Sequence, residues 1–158
     1  MVVHNIEPLY NADSKVLILG SFPSVKSREE EFFYAHPQNR FWKVIAAVFG
    51  EKVPRDIEEK KALILRHNLA VYDVIYSCEI TGSADSSVKN VVPSDLKPII
   101  NNSKITKIFV NGRTAEKYYK KYQLKAMGID CIMLPSTSPA NAAYSLEKLI
   151  SDWQKIKD

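Results

Sequence analysis

Four short apolar runs constrain the fold of this chain more than any other feature. They cover residues 16–19, 70–75, 108–110 and 131–134, and each is nearly continuous rather than alternating. A continuous run of this length is typical of a parallel strand that is covered on both faces. The segments between and after the runs have the patterns of helices, over residues 39–49, 56–67, 93–102, 114–122 and 140–157. This alternation predicts an α/β sandwich with a mostly parallel sheet.

Length and composition fit one domain over residues 1–158, because 46% of the 158 residues are hydrophobic and 25% are charged. No apolar run approaches the ~20 residues that span a bilayer, and the start of the chain lacks the pattern of a signal peptide. Two cysteines, Cys78 and Cys131, are too few for a disulfide framework or a four-thiolate metal site. We therefore expect a cytoplasmic protein without a metal, and we take a monomer as the default.

The net charge of +4 is mild, but the basic residues are unevenly distributed. Residues 104–125 contain seven basic residues, one acid and four aromatic residues. A basic segment with interleaved aromatics suits a polyanion such as a nucleic acid. A solvated helix face is the alternative for Lys117, Lys120 and Lys121.

The loops that follow the predicted strands are the place to look for a ligand, since parallel sheets bind ligands at the carboxyl ends of their strands. The first such loop, residues 20–24 (GSFPS), matches neither the dinucleotide fingerprint nor the phosphate loop. This weakens the case for a nucleotide cofactor. Phe22 would reach the pocket rim and could stack on a planar ring, or it could fill the core.

Two polar residues in the aromatic and apolar segments are candidates for chemistry. Asn39, in residues 36–42 (HPQNRFW), is either the N-cap of the next helix or a carboxamide that holds a water or a base edge. Asp73 lies inside an apolar run, where a carboxylate costs free energy unless it is paired or functional. Asp73 with Asp85 could also form the carboxylate pair of a hydrolase.

The fourth strand leads into residues 134–141 (LPSTSPAN), which contain three hydroxyl side chains. Pro139 suits the first position of a helix and Ser138 suits its cap. A hydroxyl-rich loop at a helix N-terminus can bind a phosphate, although an ordinary capped helix has the same pattern.

In this order and spacing, GSFPS, HPQNRFW and LPSTSPAN resemble the motifs of the uracil-DNA glycosylase superfamily, and more narrowly its hypoxanthine-DNA (deoxyinosine) glycosylase branch. The resemblance extends from about residue 16 to residue 153. It implies a three-layer α/β/α sandwich around a four-stranded parallel sheet. It also implies the excision of deaminated bases, hypoxanthine first, from damaged DNA without a cofactor.

The resemblance assigns roles to individual residues. It implies that Asn39 is the catalytic residue. The residues that it implies contact the base are Gly20, Ser21, Phe22 and Asp73. Those that it implies contact DNA are Ser136, Thr137, Ser138 and Pro139. Lys117, Lys120 and Lys121 would add further attraction to the DNA backbone. Phe22 stands where the uracil-specific branches carry a water-activating carboxylate, and Leu134 stands where they carry a histidine. Both differences argue against efficient uracil excision by that route.

Three alternatives stay open at the level of sequence. The chain could remove uracil, including uracil or thymine mismatched with guanine. It could be a nucleoside hydrolase that uses Asp73 and Asp85, or a nucleic-acid-binding module without catalysis. No lysine stands out as a Schiff-base nucleophile, so we expect base hydrolysis without a lyase step.

Overall fold

Strands and helices alternate along the chain in a computed structural model that describes residues 1–82 and 84–157. The strands are β1 (Val2–Val3), β2 (Val16–Gly20), β3 (Leu69–Asp73), β4 (Ile75–Glu79), β5 (Lys89–Pro93), β6 (Lys107–Asn111) and β7 (Cys131–Leu134). The helices are α1 (Val25–Glu30), α2 (Phe41–Val48), α3 (Ile57–Arg66), α4 (Lys97–Asn101), α5 (Arg113–Tyr122), α6 (Leu124–Met127) and α7 (Leu146–Trp153). Short 3₁₀ turns cover Asp85–Ser87 and Gln154–Lys157.

The predicted parallel sheet is confirmed, with four strands in the order β3-β2-β6-β7. Every residue of β2 and β3 is buried, as their continuous apolar runs predict. The register pairs Gly20 with Asp73 and Asn111 with Leu134, so all four strands end at one edge of the sheet. This carboxyl edge carries the candidate site.

Helices cover both faces of the sheet, which confirms the three-layer architecture. The connection from β2 to β3 runs toward one side of the sheet, and the connection from β6 to β7 runs toward the other. Since such crossovers are right-handed, α1 to α3 lie on one face and α5 and α6 on the opposite face. The last helix, α7, packs against α2.

A second sheet, which the sequence did not predict, joins β1, β4 and β5 in an antiparallel arrangement. It exists because the apolar run over residues 70–75 is interrupted. The N–H of Val74 donates to the carbonyl of Gly20, and the N–H of Ile75 donates to that of Ser21. The chain leaves the parallel sheet at this point and continues as β4.

Two further expectations about the helices were wrong, and one helix was missed. The last helix begins at Leu146 with Ser145 as its N-cap, rather than at residue 140 after Ser138 and Pro139. The helix expected over residues 93–102 covers only Lys97–Asn101, because Pro93 ends β5. The short helix α1, capped by the Ser24 hydroxyl, was not predicted at all.

Among the residues that the structure describes, no helix is both long enough and apolar enough to span a membrane.

Candidate active site

A cavity of about 990 Å³ opens at the carboxyl edge of the parallel sheet. Its walls come from the end of β3, the loops after β2, β6 and β7, and the segment before α2, and it includes the point between β2 and β6 where the strand order reverses. Open α/β sheets bind their ligands at such a point. The lining includes nine residues singled out from the sequence: Gly20, Ser21, Phe22, Asn39, Asp73, Ser136, Thr137, Ser138 and Pro139.

A chain of side-chain hydrogen bonds links three of these loops. Asn111, at the end of β6, accepts the N–H of Thr137 at 3.0 Å and donates to the Thr137 hydroxyl at 3.0 Å. That hydroxyl donates to Oδ1 of Asn39 at 2.9 Å. Thr137 is fully buried. Its side chain therefore holds Asn39 in place rather than facing solvent.

The same bonds fix which way the Asn39 carboxamide points. Its Oδ1 also accepts the N–H of Phe41 at 2.9 Å, and a backbone N–H can only donate. The oxygen thus receives two donors, which match its two lone pairs. Among the described residues, none accepts a hydrogen bond from Nδ2 of Asn39, which lines the cavity. The N-cap of α2 is Arg40, so the interpretation of Asn39 as the N-cap was wrong. Asn39 Oδ1 nevertheless accepts the N–H of the first helical residue, and Asn39 lines the cavity, so its role in holding a water or a base edge stays a prediction.

Arg40 ties the start of α2 to the loop over residues 138–144. Its guanidinium donates to the carbonyls of Ser138 at 3.1 Å, Asn141 at 3.0 Å and Tyr144. Its backbone N–H donates to the carbonyl of Thr137 at 3.1 Å. A guanidinium group is planar and carries several N–H donors, so it can bond to three carbonyl groups that converge on it. These bonds hold residues 138–144 as turns, which explains why α7 starts later than predicted.

Asp73 is paired, as a buried carboxylate must be. Its Oδ2 lies 2.8 Å from Nε2 of His4, and both side chains are almost fully buried. Nδ1 of His4 accepts the N–H of Ile6 at 3.2 Å, so we assign the ring proton to Nε2, which donates to Asp73. The N-terminal segment therefore fixes one carboxylate oxygen.

Tyr34 lies beside Asp73 in a strained backbone conformation. Its φ of 51° lies in the left-handed region, which aromatic residues rarely adopt. Its ring stacks on Phe41 with 3.9 Å between ring centroids. Burial and the negative charge of Asp73 raise the pKa of Tyr34 well above its ordinary value, and the neighbouring Asn111 side chain offsets part of the rise. The phenol stays protonated.

The rim of the cavity is aromatic and basic. Phe22 is partly buried, its ring meets His4 edge-on at 6.2 Å, and the Arg28 guanidinium lies 5.6 Å above it. Arg113, at the start of α5, and Lys155 also line the cavity. These groups form a surface that an aromatic anion could approach.

In the loop after β7, two serine hydroxyl groups that line the cavity donate to none of the described residues. The hydroxyl oxygens of Ser136 and Ser138 accept the backbone N–H groups of Ser138 and Ala140, each at 3.1 Å. Their own protons can still be donated to an anion. The expected helix N-terminus is wrong, because no helix starts at these residues. Phosphate binding by their hydroxyl groups stays a prediction.

The three lysines singled out on α5 are exposed, but they are not among the residues that line the cavity. Lys117 lies about 6 Å and Lys121 about 12 Å along the helix axis from Arg113. Lys120 is within 3.6 Å of Glu116. The side chain of Asp85 is outside the described part of the chain, so its pairing with Asp73 stays a prediction.

Two cavity residues, and a buried residue that contacts the site from behind, were missed at the level of sequence. Asn111 is a polar residue directly after an apolar run, a signal related to the one that singled out Asp73 inside its run, and it could have been found. Tyr34 was one aromatic residue among several. His4 precedes any recognisable pattern and gave no signal. Within the described residues, no group of three or more His, Cys, Asp or Glu side chains could hold a metal ion.

The comparison with protein families agrees with this geometry. Residues 7–157 match the model of the uracil DNA glycosylase superfamily, and the chain belongs to that superfamily. This confirms the family suggested by the three motifs.

Individual relatives are similar over nearly the whole chain. The chain is 31% identical to a hypoxanthine DNA glycosylase of Methanosarcina acetivorans, over 99% of this chain and 98% of that protein. It is 28% identical to a hypoxanthine DNA glycosylase of Methanosarcina barkeri, over 92% of each. A solution NMR structure from Methanosarcina acetivorans, described as a uracil DNA glycosylase, has a TM-score of 0.81 and 26% identity with full coverage of both chains.

We predict that Thr137→Val lowers base release from damaged DNA, because it removes the hydroxyl donor that holds Asn39 Oδ1. Thr137→Ser keeps that donor and should retain most of the activity. The measurement is the single-turnover rate, with the melting temperature of each variant. Equal rates for the valine and serine variants would contradict a role for the hydroxyl.

We predict that Arg40→Lys lowers the free energy of unfolding by about 2 kcal/mol, because one ammonium cannot replace the fork that holds three carbonyls. Arg55→Lys is the matched control, since Arg55 is exposed and forms a surface ion pair with Glu59 of α3. Urea denaturation measures both variants. If the free energy of unfolding falls no more in Arg40→Lys than in the control, the bonds from the Arg40 guanidinium to the three carbonyls do not stabilise the protein.

Proposed function

We propose that this protein is a monofunctional DNA glycosylase that hydrolyses the N-glycosidic bond of deaminated bases, with hypoxanthine favoured. The observation that carries the proposal is the Asn39 NH₂ group, which a fixed network presents to a cavity at the carboxyl edge of the sheet. The names of the two Methanosarcina relatives support hypoxanthine as the substrate.

The cavity suits a base that has left the DNA stack. A glycosylase must extrude its target nucleotide, and a lesion that pairs weakly costs less to extrude. In our proposal Phe22 stacks on the extruded purine at the rim, where such stacking contributes about 1–3 kcal/mol. The hydroxyls of Ser136 and Ser138 bind backbone phosphates beside Pro139.

Bond cleavage moves the electron pair of the glycosidic bond onto the departing base. Water then adds to C1′ and loses a proton, and a proton taken up from solvent neutralises the base anion. Negative charge therefore develops on the base in the transition state. Because both lone pairs of Asn39 Oδ1 are occupied, we propose that its NH₂ donates to an acceptor atom of the base. A fixed donor aimed at developing charge stabilises the transition state more than the ground state. A deaminated base is a good leaving group, so no strong general base is required.

The test of the function is base release from matched labelled oligonucleotides that carry one deoxyinosine, deoxyuridine or deoxyxanthosine. We expect cleavage at deoxyinosine that appears only after alkali, since no lyase step is proposed. Cleavage at deoxyuridine alone would agree with the superfamily but would contradict the proposed preference for hypoxanthine. No base release from any lesion by the folded protein would overturn the proposal, and turnover of free nucleosides would favour the nucleoside hydrolase.

Substitution of Asn39 distinguishes two roles for this residue: a hydrogen-bond donor to the base and a group that activates water. Asn39→Asp keeps an oxygen for the Phe41 N–H and the Thr137 hydroxyl but loses the NH₂ group. We predict that it lowers base release at least about 10²-fold, like Asn39→Ala, with a melting temperature close to that of the wild type. Activity in Asn39→Asp close to that of the wild type would contradict the donor role. A loss of activity matched by a loss of folding would leave Asn39 with a structural role at the start of α2 only.

The salt dependence of DNA binding tests the α5 lysines. Replacement of Lys117, Lys120 and Lys121 by Gln should flatten the slope of log Kd against log salt by about one unit for each phosphate that a lysine no longer neutralises. The matched control replaces Lys15, Lys104 and Lys107, which lie at the opposite, amino-terminal edge of the sheet. Fluorescence anisotropy of labelled duplex measures both sets. Equal slopes in the two triple variants would show that α5 does not face DNA.

A further inference from the structure

The ring of Phe22, at the rim of the cavity, has a positive charge above one of its faces. The guanidinium carbon of Arg28 lies 5.6 Å from the centroid of this ring. Phe22 lines the cavity, whereas Arg28 is not among the residues that line it. The face of the ring that is left for a ligand in the cavity is therefore the one turned away from Arg28.

Two backbone carbonyls hold the guanidinium in place behind the ring. Nε of Arg28 donates to the carbonyl of Ser24 at 3.3 Å, and Nη2 donates to the carbonyl of Gly82 at 2.7 Å. Ser24 lies in the same loop as Phe22, and its hydroxyl caps α1, the helix that carries Arg28. The position of the guanidinium relative to the ring is thus fixed by the loop after β2 and by the loop after β4.

No acid in the described part of the chain neutralises the charge of Arg28. The ion pairs found there do not include this residue, and its two acceptors, the carbonyls of Ser24 and Gly82, are neutral. Buried groups feel the charge: burial raises the pKa of the Cys78 thiol, and the charge of Arg28 offsets part of that rise. An uncompensated positive charge therefore lies behind the ring of Phe22.

A cation behind an aromatic ring changes what the other face of the ring can bind. It attracts the π electrons toward itself, so the opposite face becomes less negative and better suited to an electron-rich or anionic ring. A base in contact with that face lies roughly 3.5 Å beyond Phe22, and hence about 9 Å from the guanidinium. The ring excludes water from the space between them, which strengthens the attraction between the two charges.

We propose that Arg28 is the positioning residue of Phe22 and that its charge, acting across the ring, stabilises the departing base as the base becomes an anion. Guanidinium, phenyl ring and purine then form one stack with the cation at its outer end. The charge favours the transition state over the neutral substrate, because negative charge develops on the base only as the glycosidic bond breaks. This inference rests on the proposed function, since it requires an extruded base stacked on Phe22.

The experiment measures two quantities for each variant. One is the single-turnover rate of hypoxanthine release at saturating protein, and the other is the Kd of a duplex with one uncleavable 2′-fluoroarabino hypoxanthine nucleotide. Arg28→Gln keeps an amide N–H for the carbonyls but removes the charge. We expect it to lower the rate about tenfold and to raise the Kd by less than about threefold. Arg28→Lys keeps the charge and should retain most of the rate.

A double-mutant cycle with Phe22→Leu tests whether the charge acts across the ring. If it does, Arg28→Gln should lower the rate by less than about twofold once Phe22 is already leucine. The same tenfold loss in both backgrounds would contradict the proposal. Lys60→Gln is the matched control, because Lys60 lies 5.3 Å above the ring of Trp42 and neither residue is among those that line the cavity. It should change neither the rate nor the Kd.

The remaining outcomes separate this inference from the proposed function. A wild-type protein that releases hypoxanthine, with Arg28→Gln equally fast, would overturn the inference alone. Equal losses of rate and affinity in Arg28→Gln, with a smaller salt dependence of binding, would replace it by a contact between Arg28 and a DNA phosphate. Equal losses in Arg28→Gln and Arg28→Lys, with lowered melting temperatures, would leave Arg28 with a structural role. A wild-type protein that releases no hypoxanthine would overturn the proposed function first.

Discussion

The hydrogen-bonded chain from Asn111 through Thr137 to Asn39 is the interaction on which the site depends. It joins the ends of β6, β7 and the segment before α2, three loops that are far apart in sequence. Each bond has only one possible direction, because the backbone N–H groups of Phe41 and Thr137 must donate. Among the residues that the structure describes, none accepts a hydrogen bond from the Asn39 NH₂ group, and Asn39 lines the cavity.

At its carboxyl edge the parallel sheet brings together polar groups. Elsewhere in the core the burial of these groups would cost free energy. Asp73 ends a strand in which every residue is buried, and it is tolerated because His4 donates to it. Tyr34 adds a strained backbone and a buried hydroxyl that has no hydrogen-bond partner of normal geometry within the described part of the chain. Such costs persist where binding requires them, and elsewhere the same sheet is packed with apolar side chains.

The sequence predicts the parallel sheet because β2 and β3 are buried on both faces and therefore consist of continuous apolar runs. Asn39 and Asp73 could be identified as candidates because they are polar residues within aromatic or apolar segments, where a polar side chain costs free energy unless it is paired or functional. The antiparallel sheet could not be predicted, since it depends on backbone bonds from Val74 and Ile75 to the loop after β2. The start of α7 and the role of His4 depend on contacts between segments distant in sequence, which local patterns do not contain.

The most direct test of the account is a crystal structure of the wild-type protein bound to duplex DNA with one uncleavable 2′-fluoroarabino hypoxanthine nucleotide. The account predicts that the base lies in the cavity, with Nδ2 of Asn39 at a hydrogen-bond distance of about 3 Å from the extruded nucleotide. A base that stays in the duplex, or a nucleotide in the cavity that Asn39 does not touch, would contradict it.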